Sequence, residues 1–211
     1  MNEYKDCELL GIPGCGKSTY ANKIIQKNNY VNPLDRLLYN DSRIKQNLNK
    51  VKLCLQFAID RPLFTLKLIR CFNHVKFRSL AKWLKCLMYV IYTLEIVEES
   101  RRQRNYVILD EGICQVIWGI MYNAQDNMSQ QIKALFEKLM PFVMPNVVVL
   151  DVENSVLETR LSSRSNHGGA EIQHDILKNP AILDDARKYV ARIVTMLIDC
   201  GKDVTVHKEG E

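Results

Sequence analysis

Long hydrophobic runs are missing from this sequence of 211 residues. The longest run covers residues 86–94, far fewer than the roughly 20 apolar residues that a membrane-spanning helix needs, and lysines precede it closely. We therefore expect no transmembrane segment and interpret this run as a buried helix, with contact to a membrane surface as the alternative. The first residues, MNEYKDCE, are polar and unlike a secretion signal, which favours a cytoplasmic protein.

Paired cysteine motifs are also missing. The seven cysteines include no Cys-x-x-Cys pair and no cysteine–histidine spacing typical of zinc ligands, so free thiols in a reducing compartment are the expected state. A net charge of +5 falls well short of the strongly basic balance typical of nucleic-acid-binding domains. We therefore expect neither a zinc site nor a nucleic-acid partner.

Apolar runs alternate with longer helical patterns along most of the chain, and no internal repeat interrupts them. This alternation predicts an α/β fold with βαβ units around a parallel sheet, in a single domain of residues 1–211. The predicted strands lie at residues 4–10, 30–39, 106–110, 146–152 and 204–207. The second is the weakest, because Pro33 removes a backbone donor from it.

Residues 41–104 differ from this pattern. Apolar residues lie three or four apart there and strand signals are few, which predicts about three helices. Breaks are expected near Arg61, which precedes a proline, and around residues 73–79. Because one crossover between two strands does not need so many helices, we interpret this segment as a helical insertion. Its many Lys and Arg residues either line a site for an anionic acceptor or lie on solvated faces.

The sequence GIPGCGKST at residues 11–19 matches the pattern G-x-x-x-x-G-K-S/T of a phosphate-binding loop, or P-loop. Glycine tolerates the positive φ angles that turn successive backbone N–H groups towards one phosphate. The helix that follows directs its own N–H groups at the same anion. The residues expected to bind ATP are Gly11, Pro13, Gly14, Cys15, Gly16, Lys17, Ser18 and Thr19.

Single side chains of this loop have distinct expected roles. Lys17 reaches the β and γ phosphates, Ser18 holds Mg²⁺ and Thr19 contacts the α phosphate. A buried apolar strand that ends in Asp110 is the usual partner of such a loop, and its carboxylate would accept from Ser18 or hold a Mg²⁺-bound water. Glu111 would either activate water, as in ATP-hydrolysing machines, or orient and deprotonate an acceptor hydroxyl.

Two arginines precede a glycine-bearing loop. Arg160 and Arg164 are four residues apart, so on a helix they share one face, and Gly168 and Gly169 follow in a polar loop. Such a loop suits a lid, expected at about residues 160–175, that closes over a phosphoryl group and excludes water. A solvated basic face is the alternative for this pair.

Acceptor-binding residues are expected after the second strand. The candidates there are Asp35, Asp41 and Arg43, and the acceptor base is Asp35, Asp41 or Glu111. The sequence YNDSR also predicts a helix start with Asp41 or Ser42 as its N-cap, which is an equally good role for Asp41.

The chain resembles the P-loop small-molecule kinases of the adenylate, thymidylate and shikimate kinase group. The resemblance rests on GIPGCGKST, on VILDEG at residues 107–112, on VVVLDV at 147–152 and on RLSSR at 160–164, in the expected order. It implies a P-loop three-layer sandwich with a five-stranded parallel sheet of order 2-3-1-4-5. It also implies ATP with Mg²⁺, a lid bearing Arg160 and Arg164, and an acceptor site beside strands two and three.

Three functions remain open at this stage. An ATP-dependent kinase of a small non-nucleotide metabolite is the leading hypothesis, with a nucleoside monophosphate kinase as the closest alternative. The chain has Asp110-Glu111 where thymidylate kinases have an Asp-Arg pair, and it lacks the Asp-Gly-x-Pro-Arg pattern of adenylate kinases. A nucleotide-driven switch is the second hypothesis, favoured by Glu111. The third is a membrane-surface enzyme whose basic helices at residues 67–92 dock on lipid.

Overall fold

The protein is described by a computed structural model over residues 6–27, 30–39, 42–102, 105–126, 130–164, 175–176, 178–179 and 181–208. Five strands of these residues form one parallel sheet in the order β2-β3-β1-β4-β5. The strands are β1 (Cys7–Leu10), β2 (Tyr30–Val31), β3 (Tyr106–Leu109), β4 (Asn146–Asp151) and β5 (Asp203–Lys208). The predicted fold class and strand order are confirmed.

Helices connect the strands and cover the sheet. They are α1 (Lys17–Lys27), α2 (Arg43–Asp60), α3 (Pro62–His74), α4 (Leu80–Arg101), α5 (Ile113–Asn123), α6 (Gln130–Leu139), α7 (Asn154–Arg164) and α8 (Ile182–Asp199). The side chains of β1 and the last three residues of β3 are buried, as expected for central strands covered on both faces. Among the described helices, none is both long and apolar enough to cross the hydrocarbon core of a bilayer.

The second strand is much shorter than expected. It was predicted over residues 30–39, but β2 ends at Val31 and Asp35–Tyr39 forms a π-helical segment. The reason lies in the Asn-Pro pair that follows β2. The Asn32 side-chain oxygen accepts from the backbone N–H of Leu34 at 3.2 Å, as an N-cap does, and Pro33 occupies the first helical position, where its missing N–H costs nothing.

The segment predicted to be a helical insertion contains three helices, α2, α3 and α4, and they end near the predicted break points. Arg61 separates α2 from α3, and Pro62 begins α3. Ser79 caps α4 by accepting from the backbone N–H of Lys82 at 3.2 Å. Helices α2 and α4 pack against each other, and Arg61, which follows α2, forms a 3.0 Å ion pair with Glu98 of α4.

A carboxylic acid lies in the centre of the sheet. Glu8 of β1 is fully buried, and its Oε2 atom accepts from the backbone N–H of Cys114 at 3.3 Å while its Oε1 atom accepts from the Cys114 thiol at 3.1 Å. A β-carbon on Gly112 would lie 1.8 Å from Oε2, so only glycine leaves room for this side chain. Burial disfavours the charged form and raises the pKa of Glu8 from its ordinary 4.5 to about 7.

The raised pKa makes the stability of the fold depend on pH. The folded state keeps the Glu8 proton up to about pH 7, whereas the unfolded chain releases it near pH 4.5. The contribution of this proton is therefore complete below pH 4.5 and is lost as the pH rises to about 7. Glu8→Gln, which stays neutral, should gain stability relative to the wild type over this interval by up to about 3 kcal/mol. Urea unfolding at several pH values measures the difference, and parallel profiles for the two proteins would contradict the prediction.

Candidate functional site

The P-loop lies between β1 and the start of α1. Gly14 and Gly16 have φ angles of 95° and 93°, a conformation that glycine adopts at no steric cost. The Lys17 side chain folds back over the loop, and its Nζ atom donates to the carbonyl oxygen of Gly11 at 2.8 Å. The loop at the N-terminus of α1 therefore has the backbone conformation expected of a phosphate cradle, and Thr19 is exposed beside it.

Asp110 follows β3 directly and is buried next to the P-loop. Its Oδ2 atom accepts from the Ser18 hydroxyl at 2.7 Å, and its Oδ1 atom accepts from the Asn32 side-chain amide at 3.0 Å. Both carboxylate oxygens are therefore held in fixed directions at the edge of the sheet where β1, β2 and β3 end. The contact between Ser18 and Asp110, expected from the sequence, is present.

Asn32 was missed by the sequence reasoning, although a signal was present. It bridges β2 and β3, because its amide nitrogen donates to Asp110 while its oxygen caps the turn at Leu34. The Asn-Pro pair is a known turn signal, and it was considered only as an interruption of the second strand. Its position two residues after the start of β2 places it at the same sheet edge as Asp110.

Ser18 and Asp110 fit a magnesium ion. Mg²⁺ prefers oxygen ligands and is typically held by one or two protein groups together with substrate phosphates and waters. The hydroxyl and carboxylate supplied here are of that kind, and they face the N-terminus of α1. The described residues contain no cluster of three or more His, Cys, Asp or Glu that could hold a metal without a nucleotide.

Asp35 lies close to this pair. Burial raises its pKa, and repulsion from the negative charge of Asp110 raises it further. Of the other two acceptor candidates, Asp41 lies outside the described residues, and Arg43 is an exposed residue at the start of α2. The N-cap of α2 is Ser42, which makes no side-chain capping hydrogen bond.

Arg160 of α7 reaches the P-loop. Its Nη1 atom lies 3.6 Å from the position that a β-carbon on Gly16 would occupy, so the guanidinium group is beside the phosphate cradle. Arg164 is the last residue of α7, and its side chain lies outside the described part of the chain, as do residues 165–174 of the expected lid. One of the two predicted lid arginines is therefore next to the loop.

A cleft of about 550 Å³ opens between Pro13 of the P-loop and helices α2, α4 and α5. Glu111 lines it, and its Oε2 atom accepts from the Tyr89 hydroxyl at 3.2 Å. Trp118 and Tyr122 of α5 form one wall with stacked rings whose centroids are 5.8 Å apart. Tyr92 and the side chains of Asn47, Lys50 and Lys85 line the same cleft.

Gln115 connects the cleft to the P-loop. Its Oε1 atom is 3.4 Å from the backbone nitrogen of Gly11, which donates to it, and the residue also lines the cleft. The sequence reasoning did not identify Gln115, because a single polar residue on an apolar helix carries no pattern. The amide group of Gln115 is therefore in contact with both parts of the site.

Comparisons with known proteins agree with this geometry at the level of the fold. No family model and no curated protein matches the chain. A solved structure of deoxyadenosine kinase from M. mycoides, with dCMP and a flexible dCDP bound as products, is 13% identical over 96% of this chain and 88% of that chain, with a TM-score of 0.52. A second structure of deoxyadenosine kinase from M. mycoides, with bound dCTP, is 15% identical over 96% and 89% of the two chains, with a TM-score of 0.48. The first supports a P-loop kinase fold without singling out the adenylate, thymidylate or shikimate kinases.

Replacing the Asn32 amide by a carboxylate tests the geometry around Asp110. Asn32→Asp would replace the donor to Oδ1 of Asp110, now at 3.0 Å, by a second carboxylate, and like charges this close repel each other. We expect the melting temperature of this variant at neutral pH to lie below that of the wild type. Asn73→Asp, the same change at an exposed position of α3, should leave the melting temperature unchanged. An equal effect of both variants would contradict the predicted contact.

Proposed function

We propose that this chain is an ATP-dependent kinase that transfers the γ-phosphoryl group to a hydroxyl of a small acceptor bound in the cleft. One observation carries the proposal. The cleft begins at the P-loop and contains the carboxylate of Glu111, which directly follows the Asp110 that holds Ser18. A site with a phosphate cradle on one side and a positioned carboxylate on the other suits phosphoryl transfer between two bound molecules.

In this mechanism the side chains act mainly by position and charge. Lys17 leaves its contact with the Gly11 carbonyl and stabilises negative charge on the β and γ phosphates, together with the N–H groups of the loop. When bound through Ser18 and Asp110, Mg²⁺ neutralises charge on the same phosphates. Arg160 and Arg164 neutralise charge on the transferring group, and closure of the lid excludes water.

Glu111 is the proposed acceptor base. The Tyr89 hydroxyl holds its Oε2 atom inside the cleft, where an acceptor hydroxyl would donate to the carboxylate before attack. Asp35, whose raised pKa would also suit a base, lies close enough to Asp110 to be repelled by its charge. It is not among the residues that line the cleft, which favours Glu111 over Asp35 as the acceptor base.

The cleft wall favours an acceptor with a planar ring. Stacking on aromatic side chains and hydrogen bonds to amides are a common way to recognise such rings, and the cleft offers Trp118 and Tyr122 together with Asn47 and Gln115. We therefore propose a nucleoside as the acceptor class. The solved deoxyadenosine kinase with a similar fold acts on a nucleoside by name, and no comparison supports the non-nucleotide metabolite that the sequence suggested.

The nucleotide-driven switch is the weaker alternative. A switch of this kind would use Glu111 to activate water, with the carboxylate directed at the γ phosphate. The hydrogen bond from Tyr89, a residue of the insertion, instead ties Glu111 to the acceptor cleft.

Removing the P-loop lysine tests the nucleotide half of the proposal. The assay mixes purified protein with ATP, Mg²⁺ and a panel of nucleosides, nucleoside monophosphates and sugars. We expect the protein to phosphorylate a nucleoside. Lys17→Ala should lower this rate by about 10²–10³-fold, because one charged donor to the transition state is lost. Lys23→Ala, on the exposed side of the same helix, is the control for folding and should keep full activity. Near-wild-type turnover by Lys17→Ala would exclude the proposed ATP site.

Removing the charge of Glu111 distinguishes the kinase hypothesis from the switch hypothesis. In a kinase, Glu111→Gln should lower phosphoryl transfer to the acceptor by about 10²–10⁴-fold, since the base is lost, while ATP still binds. Tyr89→Phe should reduce the rate less, because it only frees the carboxylate to move. If Glu111→Gln instead abolishes steady ATP hydrolysis without any acceptor and traps bound ATP, the switch is correct and the kinase is not.

A further inference from the structure

The outer face of α2 and the start of α3 carries a row of exposed aliphatic side chains. The residues of this aliphatic stripe are between 43% and 76% exposed, and all lie on the side of their helices that faces away from the core. The stripe consists of Ile44, Leu48, Val51, Leu55 and Ile59 of α2 with Leu63 and Leu66 of α3.

The spacing of the stripe separates it from the side chains that pack α2 into the fold. Its members on α2 follow one another at intervals of three or four residues and so share one face. Leu53 and Phe57, which are buried, lie on the opposite face. Helix α2 is therefore apolar on two sides, and only the inner side is needed for packing.

The aliphatic stripe is larger than the apolar patches found on most soluble monomers. Its exposed apolar area is on the order of 700 Å², above the roughly 300–600 Å² of the largest apolar patch on a typical soluble monomer. From Ile44 to Ile59 the stripe runs along about 22 Å of helix axis at 1.5 Å per residue. A patch of this size and length is suited to a flat or gently curved apolar partner.

Positive charge is concentrated around the stripe. Between Ser42 and His74 the sequence contains seven Lys or Arg residues and a single acid, Asp60, although the whole chain has a net charge of only +5. Outside this segment acidic residues therefore slightly outnumber Lys and Arg. Lys52 lies next to Val51 on α2, and Lys67 and Arg70 lie four residues after Leu63 and Leu66 on the exposed face of α3.

We propose that the aliphatic stripe docks on an anionic phospholipid surface, with α2 lying in the plane of the interface. Leu and Ile side chains enter the boundary of headgroups and acyl chains, while the flanking lysines and arginines reach the phosphates through their flexible stems. A second copy of this chain would bring the same segment, with seven Lys or Arg residues and the single acid Asp60, against itself, which opposes self-association through this face. The charge of the segment thus selects an anionic lipid surface as the partner.

Docking in this way also orients the cleft. Asn47 and Lys50 of α2 line the cleft, on a side of the helix between the buried face and the stripe. The cleft mouth would lie within about one helix diameter, roughly 10 Å, of the headgroups. The inference does not depend on the proposed kinase activity, because binding to lipid is measured without nucleotide.

Vesicle flotation with the full chain tests the proposal. We expect the protein to float with vesicles of phosphatidylcholine and phosphatidylglycerol, to float less at high salt, and to stay in the dense fraction with phosphatidylcholine alone. Leu55→Glu should weaken binding at least about tenfold, since it removes an exposed aliphatic side chain that would enter the lipid and adds a repelled charge. Lys52→Gln and Lys67→Gln should each weaken it roughly fivefold.

Ile198→Glu is the matched control, because Ile198 of α8 is 60% exposed, as Leu55 is. It should leave flotation unchanged. Both residues are exposed, so the variants should keep the wild-type circular dichroism spectrum and melting temperature, and Leu55→Gln serves if Leu55→Glu does not fold. Absence of flotation with anionic vesicles, or equal loss with Leu55→Glu and Ile198→Glu, would overturn the proposal. A dimer in light scattering that dissociates with Leu55→Glu would assign the stripe to a second copy instead.

Discussion

The parallel pairing of β1 with β3 is the interaction on which the rest of the site depends. In the observed register, Cys7 pairs with Ile108 and Glu8 with Leu109, so both strands end at the same edge of the sheet. The P-loop leaves β1 beside the carboxylate that follows β3, and this proximity allows the 2.7 Å hydrogen bond between Ser18 and Asp110. A slip of one residue would turn every side chain of β1 to the other face and separate the two groups.

A buried acid of β1, Glu8, connects this strand pair to α5, the helix that lines the cleft. Glu8 accepts hydrogen bonds from backbone N–H groups at the start of α5, including that of Cys114. Because Gly112 leaves room for the carboxyl group, α5 begins directly against β1. That position brings Gln115 to the backbone of Gly11 and places the aromatic wall of the cleft. Burying a carboxyl group is costly, and here its hydrogen bonds fix the helix that lines the acceptor cleft.

Local sequence signals predicted the parts of the molecule that depend on neighbouring residues. Three signals of this kind depend only on residues a few positions apart: the glycines and lysine of the P-loop, the break before Pro62 and the apolar run before Asp110. The strand order was predicted from the family resemblance that these motifs indicate. The predicted length of β2 was wrong, because the Asn-Pro pair was interpreted as the interruption of a strand and not as the cap of a helix. Asn32 and Gln115 were missed because their partners lie 78 and 104 residues away, a distance that no periodicity encodes.

Helix α2 shows how one element serves two partners. Its inner residues Leu53 and Phe57 anchor it to the core, and Asn47 and Lys50 on its flank line the cleft. The remaining face carries aliphatic residues at exposed positions. Charged residues there would make the protein more soluble, and the packing of the fold does not need the aliphatic ones. Within the described residues no packed helix covers that face, since its members are exposed. A helix that supplies both a cleft wall and an apolar outer face couples the position of the cleft to whatever surface the outer face contacts.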